Sequence, residues 1–194
     1  MKPEQSTSDL LSKLISFDTT SRNSNLEIIE FIASLLEPHG IKPELTFDQE
    51  GKKANLFATL GGGDGPGIVL SGHTDVVPVD GQDWSSDPFI TAIRDQRMYG
   101  RGVCDMKGFI AICLTRIDKI LNANLETPIH FAFSYDEEVG CLGVVGLLNE
   151  LKKKPVLPKA CIIGEPTRMG VIRAHKGMLF KRCCVRGKSA HSSL

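Results

Sequence analysis

Residues 68–78 read Ile68-Val69-Leu70-Ser71-Gly72-His73-Thr74-Asp75-Val76-Val77-Pro78, and the placement of everything else turns on them. The apolar run Ile68–Leu70 has the composition of a buried strand, and a small Ser-Gly step carries it into His73. In extended backbone, positions i and i+2 point to the same side, so Asp75 can stand behind His73. A carboxylate there can take one ring N–H while the other ring nitrogen faces a ligand or a metal. A satisfied histidine in a turn explains the same three residues, so the remaining sequence has to decide.

Composition narrows the field. The chain has 194 residues, enough for one domain with a real core and the start of another. Its 23 basic and 23 acidic residues cancel. Nothing in it forms the basic stripe of a nucleic-acid binder. The opening Met1-Lys2-Pro3-Glu4-Gln5-Ser6 lacks the apolar centre of a signal peptide, and no apolar run is long enough to span a bilayer. The expectation is a soluble, cytoplasmic protein that meets neither membrane nor nucleic acid. The six cysteines, Cys104, Cys113, Cys141, Cys161, Cys183 and Cys184, form no C-x-x-C pair and mostly lie in apolar segments, which predicts buried free thiols.

In chain order, Ser8 is placed to cap a helix through Leu10, Leu11, Leu14 and Ile15, which stops at Asp18-Thr19-Thr20-Ser21. A second helix runs over 26–36. Strands follow around 41–47 and 55–60, joined by the charged turn Gln49-Glu50-Gly51-Lys52-Lys53. The run Gly61–Gly67 has no Gly-Lys-Ser/Thr ending and leads into a strand, so it reads as a hairpin turn and not a phosphate loop. Residues 89–94 and 97–99 suggest a hairpin turning at Asp95-Gln96. A helix with apolar positions Ile110, Cys113, Leu114, Ile117 and Leu121 comes next, then a strand at 129–134, a helix ending at Lys152-Lys153-Lys154-Pro155, and a strand at 160–163. Residues 171–177 and 179–185 read as strands opening a different unit. Alternating strands and helices predict an α/β fold with a largely parallel sheet and flanking helices. In such sheets ligands gather at the carboxyl ends of the strands. His73, Asp105, the Glu137-Glu138 pair and Glu165 all fall at those ends or at the start of the following helix.

One imidazole among several carboxylates suits zinc, cobalt or manganese. The adjacent Glu137 and Glu138 would diverge in extended backbone, so one can ligate while the other takes a proton. Taken singly, each acid has a plain structural reading. Glu137 and Glu138 can favour a helix N-terminus, Asp105 can cap a helix, and Glu165 can sit in a turn before Pro166.

Together, Ser71–Pro78, Tyr99-Gly100-Arg101-Gly102 with Asp105-Met106-Lys107-Gly108, Asp136-Glu137-Glu138 and Gly164-Glu165-Pro166-Thr167 resemble the co-catalytic zinc aminoacylase and peptidase family. The resemblance implies a zinc-exopeptidase-like catalytic domain over 1–173 and the first strands of an α+β lid and dimerisation domain over 174–194. It implies that His73, Asp105 and Glu165 hold one zinc, and that Asp105 bridges to a second held also by Glu138, with cobalt as an alternative metal. Asp75 would orient His73, Glu137 would be the general acid and base, and the Asp105–Met106 peptide would be cis. His191 would reach a partner subunit's site to stabilise the oxyanion. Arg173-Ala174-His175-Lys176-Gly177 and Gly187–Ser193 narrow the implied substrate to a small N-acetylated amino acid, N-acetyl-L-ornithine, cleaved to acetate and ornithine in arginine biosynthesis. A succinylated diamino acid or another amide of this family is the alternative. Family members continue further and supply another histidine, so the chain reads as an N-terminal portion that completes one metal site. Homodimerisation is implied for the full-length enzyme, and a non-catalytic metal-binding fragment is the competing function.

Overall fold

The computed structural model describes residues 6–190 apart from 64, 178 and 180. Seven strands form among them: β1 (Glu44–Phe47), β2 (Ala54–Leu60), β3 (Ile68–His73), β4 (Ala92–Arg94), β5 (Arg97–Tyr99), β6 (Ile129–Ser134) and β7 (Ala160–Ile163). β4 and β5 pair with each other through the expected turn at Asp95-Gln96, both residues at positive φ. The other five make one sheet in the order β1-β2-β6-β3-β7. β3 runs parallel to both β6 and β7, whereas β2 is antiparallel to both β1 and β6. The α/β fold is as expected, but the sheet is mixed, parallel on one side only.

That difference has a local cause. The glycine run after β2 does not close a hairpin, because β6 lies between β2 and β3. The connection instead crosses the entry to β6 at close range. A Cβ on Gly63, whose φ is +94°, would stand 2.7 Å from the Glu126 carbonyl oxygen, and one on Gly67 would stand 2.5 Å from that of Pro128. Backbone that passes this near tolerates no side chain.

Among the described residues five α-helices flank the sheet: α1 (Thr7–Ile15), α2 (Leu26–Leu36), α3 (Lys107–Leu114), α4 (Ile117–Asn122) and α5 (Val144–Leu151). The cap of α1 is Ser6, whose hydroxyl accepts the Asp9 N–H; Ser8 lies inside the helix. The alternation of strand side chains divides the core in two. Leu56, Ala58, Leu60, Phe131 and Phe133 face the apolar sides of α1, α2 and α3. Phe57, Val69 and Ala132 face Leu147 of α5. The single helix expected over 110–121 is broken, since the Thr115 hydroxyl donates to the carbonyls of Ala111 and Ile112 and helps close the end of α3.

Beyond β7 the expected strands do not form. The described residues of 171–190 carry no regular secondary structure and are exposed. Strands need a ladder partner for their backbone groups, and no described segment lies alongside them. The cysteine expectation is corrected as well. All six are free, but only Cys113 is buried, because Cys161 lies on the exposed edge strand β7 and the rest lie in loops or the tail. No described helix is long and apolar enough to cross a membrane.

Lys107 ties α1 to the segment carrying Asp105. Its side chain is fully buried, and Nζ donates to the carbonyls of Leu14, at 3.1 Å, and Phe17, at 2.8 Å, at the end of α1. Leu14 lies in the last turn of α1 and Phe17 just beyond it, and each carbonyl also accepts a backbone N–H, from Phe17 at 3.4 Å and from Thr19 at 3.0 Å. Burial pulls the Lys107 pKa down to about 7 against the charges of Asp18 and Asp75.

Lys107→Met should remove one hydrogen bond from each carbonyl and lower the free energy of unfolding by about 1–3 kcal/mol in urea titrations, and an unchanged midpoint would contradict this role. Burial also pushes the Cys113 thiol up to about 12. Five thiols should therefore react with an aromatic disulfide reagent in the native chain, and the sixth, Cys113, only on unfolding.

Candidate metal centre

Parallel pairing brings the carboxyl ends of three strands to one sheet edge. His73 ends β3 opposite Ser134, the last residue of β6, and β7 ends on the other flank. Asp136, Glu137 and Glu138 therefore leave β6 beside His73, and Glu165 leaves β7 across from them. Asp105 comes from the loop that opens α3. The peptide bond after it, to Met106, is cis, as the resemblance implied.

The turn after His73 is held from several sides. The Thr74 N–H and hydroxyl both donate to the Ser134 carbonyl, at 2.8 and 2.9 Å. Asn25 donates to the Thr74 hydroxyl at 3.0 Å, and the Thr19 hydroxyl donates to the Thr74 carbonyl. Asp75 is thereby carried inside the molecule, where it is 2% exposed. Its carboxylate accepts the Ser21 hydroxyl at 2.7 Å, the Glu137 N–H at 3.1 Å and the Glu138 N–H at 3.2 Å. Burial works to raise its pKa, but the neighbouring His73 and these donors outweigh it and hold Asp75 below the usual range.

The orienting bond to His73 differs in kind from the one expected. Nδ1 lies 2.9 Å from the Asp75 carbonyl oxygen and 3.5 Å from its carboxylate. A carbonyl can only accept, so Nδ1 carries a proton and Nε2 is left to face the cleft. Nε2 lies 3.0 Å from Asp105 Oδ1, and 3.8 Å from both Glu137 Oε2 and Glu165 Oε1. Burial alone would lower the pKa of His73, but Asp75, through its hydrogen bonds and charge, and the charge of Glu137 push it up to about 9. The acids repel one another. Burial first, then the charge of Asp105 among others, raises Glu138 and Glu165.

Four carboxylates around one imidazole fit a divalent cation, which would relieve this repulsion and take the place of the Nε2 proton. Among the described residues, two groupings have ligand atoms within 4.8 Å of one another: His73, Asp105 and Glu165, and His73, Glu137 and Glu138. Both draw on Nε2, because Nδ1 is engaged with Asp75, so the imidazole serves one ion at a time. Of the residues singled out in the sequence, His73, Asp75, Asp105, Glu137, Glu138 and Glu165 come together here. His191 lies outside the described residues. Ser21 was missed, since its cluster reads as a helix stop. Also missed was Cys141, whose thiol lies 3.5 Å from Glu137 Oε1 as a donor.

Residues 69–176 match peptidase family M20/M25/M40. Over 182 residues the chain is 38% identical to an acetylornithine deacetylase of Aliivibrio fischeri, a match covering 94% of this chain and 47% of that protein. It is 37% identical over 179 residues to an acetylornithine deacetylase of Pasteurella multocida, covering 92% and 46%. The chain thus spans about half the length of these curated relatives. Among solved structures it resembles an M20 family metallo-carboxypeptidase of Sulfolobus solfataricus (TM-score 0.72, 21% identity, 82% of this chain and 37% of that one). It also resembles human carnosine dipeptidase 1 (TM-score 0.68, 22% identity, 81% and 37%). At those identities the structural likeness concerns the fold.

A protonated His73 sets the pH dependence of metal uptake. Zinc added to the chain near pH 7 should release about one proton per ion bound, and apparent affinity should rise with pH until about 9. Calorimetry in buffers of different ionisation enthalpy reads both quantities. Uptake that is independent of pH, or unchanged in His73→Ala, would remove His73 from the centre.

Proposed function

The chain belongs to peptidase family M20/M25/M40, and from that premise we propose that it is the metal-binding portion of an amidohydrolase acting on N-acetyl-L-ornithine. The observation that carries the reading is the convergence of His73, Asp105 and Glu165 at one sheet edge, with the Glu137-Glu138 pair alongside. The substrate rests on the names of the relatives that align over most of the chain.

His73, Asp105 and Glu165 would hold zinc, with cobalt as the alternative, and Glu138 with Asp105 would serve a second ion. When bound, such an ion supplies Lewis acidity, easing deprotonation of water and polarising an amide carbonyl. Glu137 is the proton carrier. Its backbone N–H is fixed by Asp75, and its carboxylate reaches toward the imidazole edge. As water oxygen adds to the acetyl carbon, the proton it loses passes to Glu137 and then to the departing amine nitrogen. The C–N bond breaks to give acetate and ornithine. Asp75 acts at one remove, because it fixes both the His73 ring and the backbone of the acid pair. By this reading residues 1–173 form the catalytic unit and 174–194 open a lid and dimerisation unit, from which His191 would stabilise the oxyanion.

Zinc-loaded protein should release ornithine from N-acetyl-L-ornithine, and Glu137→Gln should lower that rate by about 10²–10⁴ while zinc content stays the same. Full activity in the variant would remove Glu137 from its role. A wild-type chain that binds zinc and cleaves neither N-acetyl-L-ornithine nor N-succinyl-diaminopimelate favours a second reading, a metal-binding portion that does not turn over alone. The chain's span of about half its relatives makes that a specific alternative.

A further inference from the structure

We propose that Lys53 is a positioning residue, which holds the Glu137-Glu138 pair on the centre through Asp136 and Ser21. This inference rests on the functional reading above only for its consequence, since the contacts themselves involve no metal.

Lys53 immediately precedes β2, in a turn far along the chain from every acid of the centre. Its Nζ lies 2.6 Å from Asp136 Oδ1 and also donates to the Ser21 carbonyl. The two charged side chains are only 16% and 17% exposed. From there the contacts close into a ring. The Ser21 hydroxyl donates to Asp75, Asp75 accepts the N–H groups of Glu137 and Glu138, and Asp136 directly precedes that pair.

Asp136 also holds a demanding backbone conformation, with φ at +56°. Aspartate tolerates this left-handed region better than most residues, but a partner helps keep it there. The turn it opens brings the Gly140 and Cys141 N–H groups to the Glu137 carbonyl, both at 2.9 Å, and the Leu142 N–H to the Asp136 carbonyl at 3.0 Å. Without the ammonium, the Asp136 carboxylate would be a poorly solvated charge close to Glu137, Glu138 and Asp75. Its cheapest escape is rotation toward water, and that rotation unwinds the turn which presents both glutamates. Lys53 makes no bond to His73, Asp105 or Glu165. Its loss should therefore affect the Glu137-Glu138 side of the centre selectively.

Amide hydrogen exchange on the metal-free chain is the direct test. Lys53→Met should speed exchange of the Glu137 and Glu138 amides by about tenfold or more and leave the β2 and β6 amides unmoved, and Lys53→Arg should restore protection. If Lys53→Met does not fold, Asp136→Asn is read in its place, with the same loss of protection expected. Unchanged protection at Glu137 and Glu138 in a folded variant overturns the proposal, and so does slowing or speeding spread evenly across β2 and β6. Zinc titration of the same proteins separates the two readings. A wild-type chain that takes up no zinc sinks the metal reading, while the exchange data still decide the role of Lys53.

Discussion

A buried negative charge has to be answered, and in this chain the answer organises the functional edge of the sheet. Asp75 is almost fully enclosed, and a carboxylate in that position stays ionised only if donors surround it. Three do, and they come from two separate parts of the chain: Ser21 after α1, and the backbone of the adjacent Glu137 and Glu138 after β6. The same residue's carbonyl fixes His73. One side chain and its own peptide thus set the imidazole and the acid pair relative to each other. The interior must satisfy that charge before any ligand arrives.

The sheet order makes this meeting possible. Had β2 and β3 formed the hairpin that their glycine-rich linker suggests, β3 would have one edge left, and β6 and β7 could not both flank it. Inserting β6 as a parallel neighbour aligns Ser134 with His73, so the residues after each strand emerge together. The glycines at 63 and 67 are what let the connection pass close against the backbone of Glu126 and Pro128, at the entry to β6. The functional edge is therefore a consequence of topology and of two positions without side chains.

Much of this was legible in the sequence. Strand and helix periodicity located β3, β6 and β7, and the candidate ligands stood out because each followed a strand or opened a helix. Strand order was not legible, because a hairpin and an interrupted pair of strands share the same local pattern. Asp75 was singled out for a geometric reason, yet its carboxylate serves the Glu137-Glu138 backbone more closely than the imidazole. Nothing in an i, i+2 pattern reveals partners 62 and 63 residues away. Ser21 and Lys53 were hidden for the same reason, as ordinary members of a polar cluster and a charged turn. The tail failed differently. Its composition suits strands, but strand propensity without a ladder partner produces no strand.

The shared use of His73 Nε2 also decides how the adjacent glutamates divide their work. Either grouping of ligands can claim the imidazole, and both cannot do so at once. If the ion sits with Asp105 and Glu165, Glu137 keeps its carboxylate free, with Oε1 near the Cys141 thiol and Oε2 turned toward the ring. If the ion sits with Glu137 and Glu138, the Glu137 carboxylate is consumed as a ligand. Asp105 is the closest acid to Nε2, at 3.0 Å against 3.8 Å for Glu137, which tilts occupancy toward the first arrangement. The clamp from Asp75 works in the same direction. Because it bonds both glutamate N–H groups, it resists the backbone shift that would bring Glu138 to the position Glu137 holds. A pair of identical residues is given unequal positions by the distance from one ring nitrogen and by a carboxylate that holds both of them through the backbone.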